Sequence, residues 1–412
     1  MSTFQNILII GSVWPEPNSS AAGTRMMELI RLFQEQNWKV TFASAAADSE
    51  FAVDLKSLNI DKATIRLNNS SFDEFIKKLQ PSVVVFDRFM TEEQFGWRVA
   101  EHCENALRVL DTEDLHCLRY ARQQAWKENR DFTSNDLVSD IAKREIASIY
   151  RCDLSLIISS YEMQLLKEFF KVDAALLHYL PFMMDPINES IQMKWKSFEE
   201  RIHFVSIGNF LHEPNWNSVQ YLKETIWPLI RKQLPEAELH VYGAYPSQKV
   251  NELNNARERF LIKGRAADAK EVIGNARVLL APLRFGAGLK GKLIDAMICG
   301  TPSVTTAIGA EAMHNALEWS GSIADSPNEI ANAAIKLYEN KTHWEQAQEN
   351  GVMIINSCYS KKIHSQQFIE TLHKTITNLK QHRLANFTGA MLVHQTAAAT
   401  KYMSKWIEEK NK

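Results

Sequence analysis

Short runs of apolar, mostly β-branched residues recur along the first half of the chain, separated by longer segments with helical spacing. Each run is apolar at consecutive positions, which is typical of parallel strands covered by helices on both faces. Between the first two runs, segment 25–36 carries Met26, Met27, Ile30 and Phe33 at the spacing of one helix face. This alternation predicts a doubly wound α/β domain. The predicted strands are Ile7–Ile10, Val40–Ala43, Ser82–Phe86, Arg108–Leu110 and Leu154–Ile158.

The pattern weakens across the polar segment 186–200 and then resumes, which predicts a hinge between two Rossmann-like halves. We expect an α/β protein with two doubly wound domains facing a cleft, residues 1–190 and 200–382. Residues 383–412 are expected to form terminal helices that cross back onto the first domain and dock there through the apolar side that carries Tyr402, Met403 and Trp406. The strands predicted for the second half are Ile202–Ile207, Glu238–Tyr242, Phe260–Lys263, Val278–Ala281 and Ser303–Thr305.

Amino-acid composition agrees with two α/β domains and limits the kinds of partner that we expect. The 412 residues are too many for a single core, and 45% hydrophobic with 23% charged residues is the mixture of a globular chain. A net charge of −2 gives no general electrostatic reason to bind nucleic acid. Five scattered cysteines suit a reducing compartment. No apolar run reaches membrane-spanning length and segment 1–6 is polar, so we expect a cytoplasmic protein, or one peripheral at a membrane surface.

The segment 281–313 contains the most informative chemistry. It predicts a strand, a glycine-rich turn with Gly286 and Gly288, and a helix that begins near Lys290 and is stopped by Gly300. Free amides at a helix start, with nearby cations, form an anion site suited to a diphosphate. Asp295 lies one turn after Lys292 and could accept hydrogen bonds from ribose hydroxyls. The alternative is a structural glycine turn with solvated cations.

This segment resembles the donor-binding region of retaining glycosyltransferases of family 4, which have the two-domain GT-B fold. The resemblance spans roughly residues 200–315 and includes the segments 206–209, 212–215, 227–228 and 263–265; the first half is similar only in outline. The positions that match the family's glycine turn, its helix and the turns that follow are Gly286, Gly288, Lys292, Asp295, Ala296, Met297, Gly300, Pro302, Val304, Thr305, Gly309 and Glu311.

The resemblance implies a set of donor-binding residues, with two departures. The family's ribose-binding Glu is Asp295 here, and its Arg and Lys after the first strand of the second domain are replaced by Asn209 and by Pro214 or Asn215. We therefore expect Arg284, Lys290 and Lys292 to hold the phosphate charge; otherwise the enzyme is weak or inactive. The implied donor-binding residues are Gly208, Asn209, Gly264, Arg265, Arg284, Gly286, Gly288, Leu289, Lys290 and Asp295.

The loop after the first strand, 11–25, has neither a GxGxxG nor a Walker pattern, which argues against a nicotinamide dehydrogenase or a P-loop enzyme. Thr24 is a predicted cap for the helix that follows. By resemblance, this loop faces the cleft, and Gly23 and Arg25 are the acceptor-side residues. The alternative is an ordinary strand-to-helix connection.

The strand 108–110 ends in Asp111, followed by Glu113, Asp114 and His116. Carboxylates crowded at a strand end are costly unless they are used. In the resembled family an acidic residue or His here contacts the transferred sugar, so Asp111, Asp114 and His116 are the candidates, with Glu113 pointing outward. The alternative is helix capping with solvated charge. No metal site is expected, because cations and a helix terminus offset diphosphate charge in this fold class.

These observations predict a glycosyltransferase of the hexosyltransferase type, with Asp111, Asp114, His116 and Lys292 as catalytic residues. It would move a sugar from a nucleotide-sugar donor to a hydroxyl acceptor on a glycan, a lipid-linked sugar or a small molecule. The resemblance implies retention of configuration, with no metal and no cofactor besides the donor substrate. Two alternatives are a nucleotide-sugar epimerase of GT-B fold and a catalytically lapsed nucleotide-sugar-binding subunit.

Overall fold

A computed structural model describes residues 5–411, except for the side chains of residues 395–399. Within these residues the chain forms two separate parallel sheets. The first sheet has the order β3-β2-β1-β4-β5-β6-β7, and its strands β1 to β7 are Asn6–Gly11, Lys39–Ser44, Asp61–Thr64, Val83–Asp87, Leu107–Asp111, Leu154–Ile157 and Leu177–Tyr179. The second has the order β10-β9-β8-β11-β12-β13, and its strands β8 to β13 are Phe204–Ile207, Leu239–Tyr242, Phe260–Gly264, Val278–Ala281, Ser303–Thr305 and Gly321–Ile323.

Helices connect the strands and cover both faces of each sheet. In chain order, α1 to α9 are Ala21–Glu35, Ser71–Leu79, Phe89–His102, His116–Lys127, Asp140–Arg151, Ser160–Glu168, Glu189–Gln192, Glu213–Tyr221 and Trp227–Gln233. The remaining helices, α10 to α18, are Gln248–Asn251, Ala269–Asn275, Gly291–Ile298, Ala307–Ala310, Pro327–Glu339, Lys341–Cys358, Lys361–Thr377, Leu379–Ala385 and Phe387–Lys410. The predicted pair of Rossmann-like domains is confirmed.

All ten predicted strands are present, because each is an apolar run that the sheet buries. In β1, Leu8 and Ile10 enter one apolar layer while Ile7 and Ile9 enter the other, and all four are fully buried. The strands that the sequence pattern missed are short. One of them, β3, is an edge strand of sequence DKAT without a buried residue, so it carries no apolar run to recognise.

The chain returns to the first domain earlier than residue 383, the boundary that we expected. Met184 and Ser360 form a bridge where the outgoing and returning segments meet. From Lys361 onward α16 packs on the first domain, where Phe368 and Leu372 are fully buried among the residues that cover β1. The crossover therefore lies near residue 360, because these two side chains belong to the core of the first domain.

The terminal helix α18 docks on α3 and α5 of the first domain, as predicted, but through the opposite side. Ser404 is buried against Asn68, and Glu408 accepts a hydrogen bond from Arg98 at 2.8 Å. The apolar side that we expected to dock points outward: Tyr402, Met403 and Trp406 are 70%, 61% and 60% exposed. Ion pairs and a small side chain, rather than aromatic packing, hold the C-terminal half of the helix.

Arg383 is the main polar anchor of the terminal segment. Its Nε and one terminal nitrogen donate to the two oxygens of Asp153, each at 2.7 Å, and it also donates to the carbonyls of Glu104 and Ala106. Asp153 is only 2% exposed. Removal of this cation would leave the buried carboxylate with the more distant Nε of Arg108, at 3.7 Å, as its remaining counter-charge among the described residues.

We predict that Arg383→Ala lowers the free energy of unfolding by about 2 kcal/mol, because a buried ion pair is broken on one side. The matched control, Lys380→Ala, removes an exposed cation from the same helix and should change stability by less than about 0.5 kcal/mol. Chemical denaturation measures both values. Equal losses in the two variants would show that the Asp153 contact does not anchor the tail.

Candidate functional site

The glycine-rich turn joins β11 to α12, as the sequence predicts. The helix begins at Gly291, ends with Cys299 as its C-cap, and is followed by Gly300 in a left-handed conformation with φ of 60°. Its first amides have no partner within the helix, and they point toward the cleft side of the sheet where the strands end. The turn and the helix start therefore lie at the carboxyl edge of the second sheet.

Lys292 is the cation that this helix presents to the cleft. Its Nζ donates to Oδ1 of Asn215 at 2.8 Å, and it lies so close to Gly208 that a Cβ there would be 2.7 Å away. No carboxylate pairs with it among the described residues, and burial alone lowers the pKa of Lys292 to about 7. Partly buried and paired only with a neutral amide, this ammonium group lacks a counter-ion.

The other two predicted phosphate cations are engaged elsewhere, which corrects the expectation of a three-cation cluster. Lys290 folds back, and its Nζ donates to the carbonyls of Ala287 and Gly288 at 3.1 and 2.7 Å. Burial lowers its pKa to about 8. The Nε of Arg284 donates to Asn217 at 2.8 Å, and its guanidinium lies 4.6 and 4.3 Å from the ring centroids of Trp126 and Tyr221.

The turn is also less open than expected, because the first domain presses against it. The amide of Gly288 donates to Oε1 of Glu162 at 2.8 Å, so it is not a free donor. Glu162 is fully buried, and burial raises its pKa to about 8. A Cβ on Gly288 would be 2.8 Å from the Cβ of Asp114, which requires glycine at this contact.

Arg122 of the first domain joins the two sides of the cleft. It donates to both carboxylate oxygens of Glu311, at 2.9 and 2.7 Å, and to the carbonyl of Gly286 at 2.9 Å. Two further contacts cross nearby: Tyr245 donates to Glu16 at 2.8 Å, and the Nε of Arg265 lies 3.3 Å from Oγ of Ser19. The predicted family position Glu311 thus serves as an inter-domain partner in this structure.

The remaining predicted donor-side residues surround this region. Asn209 accepts from the amide of Leu211 and, through its carbonyl, from Asn215. Gly264 has φ of 71° with open space beside it, and Leu289 is 8% exposed. Asp295 is partly buried, and burial raises its pKa to about 6.

On the first-domain side, Gly23 and Arg25 lie within α1 and not in the loop before it. The helix is capped by Ser20, whose hydroxyl accepts from the amide of Gly23 at 3.0 Å, so the expected Thr24 cap is wrong by four residues. Arg25 is 1% exposed and its guanidinium donates to Asp111 and to the carbonyls of Leu180 and Pro181. It therefore holds the strand ends together instead of facing an acceptor.

The three predicted catalytic residues of the first domain differ in how deeply they are buried. Asp111 is fully buried in its pair with Arg25. Asp114 lies at the surface of contact with the glycine turn, where Arg119 and His116 overcome the effect of burial and hold its pKa below the ordinary value. His116 is 15% exposed, and burial lowers its pKa to about 4, so its ring is neutral at neutral pH.

Glu113, expected to point outward, is directed into the strand-end cluster. Its Oε1 is buried without a hydrogen-bond partner, and burial followed by the charge of Asp111 raises its pKa to about 8. Glu113 and Arg88 have left-handed φ values of 62° and 69°, which strain non-glycine residues. Both follow adjacent strands, β5 and β4, and Arg88 donates to Ser12 at 2.5 Å. Such strain is common at functional sites.

His212 is a further cleft residue, and it belongs to the segment 212–215 of the sequence resemblance. Burial, and then the positive charge of Arg119, lowers its pKa to about 4. It lies just before α8 of the second domain, close to the first-domain carboxylate Asp114. Its place in the segment 212–215 was visible in the sequence, but its approach to Asp114 depends on how the domains face each other.

Comparison with known proteins shows what the second domain and the fold are similar to. Residues 201–340 match the family model described as Glycosyl transferases group 1. The match lies in the second domain and covers about a third of the chain. The sequence resemblance is thereby confirmed for that domain. No curated protein matches the sequence at a significant level.

Solved glycosyltransferase structures share the fold of this chain. Sucrose-phosphate synthase from Thermosynechococcus elongatus has 16% identity and a TM-score of 0.66, over 90% of this chain and 99% of that one. Anabaena HepE in complex with UDP and glucose has 13% identity and a TM-score of 0.67, over 90% and 99%. S. aureus TarM, in complex with UDP among other ligands, has 15% identity and a TM-score of 0.56; the match covers 73% of this chain but only 57% of TarM. The fold is GT-B, as predicted.

No helix of the described residues is long and apolar enough to cross a membrane. The same part of the chain contains no group of three His, Cys, Asp or Glu side chains arranged to hold a metal ion.

Gly288 and Gly264 form a matched pair for testing the contact between the turn and the first domain. Both have positive φ, so alanine at either position costs about 1 kcal/mol in backbone strain. At Gly264 the new methyl group enters open space, whereas at Gly288 it collides with Asp114. We predict that Gly288→Ala loses a further 1–3 kcal/mol, roughly the cost of overpacking, together with transferase activity.

Thermal unfolding and a sugar-transfer assay measure the two effects. Gly264→Ala should show only the smaller loss of stability. If the two variants were equally stable and equally active, Asp114 would not press against the turn in solution.

Proposed function

We propose that the transferase moves a sugar from a nucleotide-sugar donor, bound by the second domain, to a hydroxyl acceptor bound by the first domain. Retention of configuration and independence from metal are part of this proposal. The observation that carries it is Lys292, an ammonium group in the cleft whose hydrogen-bond partner is the neutral Asn215. A bound diphosphate would supply the negative charge that this group lacks.

Two helix starts strengthen the case for an anion at this position. A Cβ on Gly291, the first residue of α12, would be 2.6 Å from the Cβ of Ala21, the first residue of α1. The starts of the two helices are therefore in contact, and each start carries the positive end of a helix dipole. A diphosphate bound beside this contact would meet both helix starts and the ammonium group of Lys292.

Asp295 is placed to bind the nucleoside part of the donor. It lies one helical turn after Lys292, and its carboxylate is close enough to Glu28 of α1 for the two charges to interact. Burial raises the pKa of Glu28 to about 7 and that of Asp295 to about 6. Ribose hydroxyls that donate to Asp295 would stabilise its ionised form.

The acceptor side combines a carboxylate with neutral imidazoles. Asp114 is ionised by its pairing with Arg119, while His116 and His212 are neutral near pH 7. These groups accept or donate hydrogen bonds to sugar hydroxyls. In a front-face reaction the acceptor hydroxyl bonds to the anomeric carbon as the bond to the diphosphate breaks. The hydroxyl proton then passes to the departing phosphate oxygen. Complexes of HepE with UDP-glucose and of TarM with UDP support a nucleotide donor.

We predict that Lys292→Ala slows sugar transfer by about 10²-fold or more, since it removes a preorganised cation at the leaving group. A thermal-shift screen over UDP, ADP and GDP sugars first identifies the donor, because a ligand of the native state raises apparent stability. Calorimetry then compares the affinity of the chosen nucleotide for wild type and variant. Lys249→Ala, which removes an exposed lysine from the same domain, is the matched control.

Several results would decide against this proposal. Near-normal transfer by Lys292→Ala would mean that the turn does not hold the leaving group. Turnover of a nucleotide sugar with no acceptor present would favour the epimerase, and donor binding without release of nucleotide would favour the lapsed subunit. Loss of activity in EDTA, restored by a divalent cation, would contradict metal independence, and an inverted product anomer would contradict retention.

The low pKa of Lys292 gives a separate, pH-dependent prediction. Its folded-state pKa of about 7 lies below the ordinary 10.5, so the free site loses its positive charge as the pH rises above 7. Because the diphosphate binds the protonated form, nucleotide affinity should fall between pH 7 and pH 9, with net proton uptake on binding. Calorimetry in buffers of different ionisation enthalpy measures this uptake. Lys292→Arg keeps its charge and should flatten the profile; an unchanged slope would assign the titration to another group.

A further inference from the structure

Six large apolar side chains are exposed on the terminal helices α17 and α18, a surface that we call the tail face. Their exposed fractions range from 50% to 72%. Single exposed apolar residues are common, but a group of this size within 23 residues marks an interaction surface. The tail face consists of Leu384, Phe387, Met391, Tyr402, Met403 and Trp406.

The docked side of the helix prevents the tail face from turning inward. Lys401 is paired with Glu101 and Glu408 with Arg98, both at 2.8 Å, while Ser404 is buried. At the other end, the side chain of Asn386 donates to the carbonyl of Tyr150 at 2.8 Å. Rotation of α18 to bury its aromatic residues would break these bonds. The tail face therefore has no cover from the described part of its own chain.

Charge indicates the kind of partner. Segment 379–412 contains six lysine or arginine residues and two glutamates, a formal charge of +4 in a chain whose net charge is −2. Glu408 is turned inward to Arg98, whereas Lys405 and Lys410 are exposed beside the aromatic residues. Nζ of Lys410 lies 5.2 Å from the ring centroid of Trp406. The outer side of α18 thus combines lysines, and one exposed glutamate, Glu409, with tryptophan, tyrosine and methionine.

We propose that the tail face binds the surface of an anionic membrane. Aromatic side chains are suited to the boundary between acyl chains and headgroups, and lysines to the anionic headgroups. A second copy of the chain would instead bring two segments of charge +4 together. The helix lies on the bilayer without spanning it. This inference goes beyond the proposed function and does not depend on the donor site.

Co-sedimentation of the full chain with vesicles tests the proposal. We expect binding to vesicles of phosphatidylglycerol and phosphatidylcholine, and much weaker binding to phosphatidylcholine alone. The combined variant Tyr402→Ser, Met403→Ser and Trp406→Ser should lower the partition coefficient at least about tenfold. Lys405→Glu with Lys410→Glu should lower it by a similar factor, since each lysine near an anionic surface contributes about fivefold.

The matched control replaces three exposed apolar residues elsewhere, Met193→Ser, Ile202→Ser and Ile363→Ser, and should bind vesicles like wild type. Melting temperature and nucleotide affinity should be unchanged in every variant, which separates this test from the donor-site experiments. The proposal is overturned if anionic vesicles do not bind the protein, if neutral vesicles bind it equally, or if the aromatic variant binds normally. A lipid-free dimer that the aromatic variant dissociates would also overturn it, in favour of a second copy.

Discussion

Charge burial is the constraint on which the arrangement of the cleft depends. Polar loops lie at the carboxyl edge of a parallel sheet. When two such edges face each other, many charged groups of these loops are removed from water. A buried charge is costly unless it is paired and hydrogen-bonded. Arg122 meets this requirement across the cleft by binding Glu311 and the carbonyl of Gly286, while Arg25 meets it within the first domain by binding Asp111. The pairing of opposite charges therefore stabilises this arrangement of the two domains.

Groups of the cleft that lack a partner of opposite charge indicate where an anionic ligand would bind. Glu162 satisfies one oxygen with two amides, those of Leu115 and Gly288, and so uses donors that a ligand would otherwise take. Nζ of Lys290 likewise donates its hydrogen bonds to carbonyls of its own turn. After these pairings, Lys292 remains with a neutral amide as its partner. Burial lowers its pKa, and no carboxylate of the described residues pairs with it, so an anionic ligand would supply the charge that this site lacks.

Sequence patterns predicted the fold well and the site only partly, for a physical reason. Apolar runs such as Ile7–Ile10 and Val278–Ala281 are local properties, and burial of such a run fixes a strand wherever it occurs. The roles of Lys290 and Lys292 were not separable, because residues two apart at a helix start differ in direction rather than in composition. The pairing of Arg122 with Glu311, 189 positions along the chain, and the outward turn of Trp406 depend on tertiary contacts. No local pattern contains that information.

The path of the chain also limits how the cleft can change. Within the described residues the backbone passes between the domains twice, once after Met184 and once at Ser360. These passages are bonded to each other: the amide of Met184 donates to Tyr359 at 2.7 Å, and that of Lys361 donates to Met184 at 2.9 Å. Both connections between the domains thus meet at the bridge of Met184 with Ser360. Since docking of α16 to α18 on the first domain fixes the returning segment, a hinge rotation that separates Arg122 from Glu311 would pivot near this bridge.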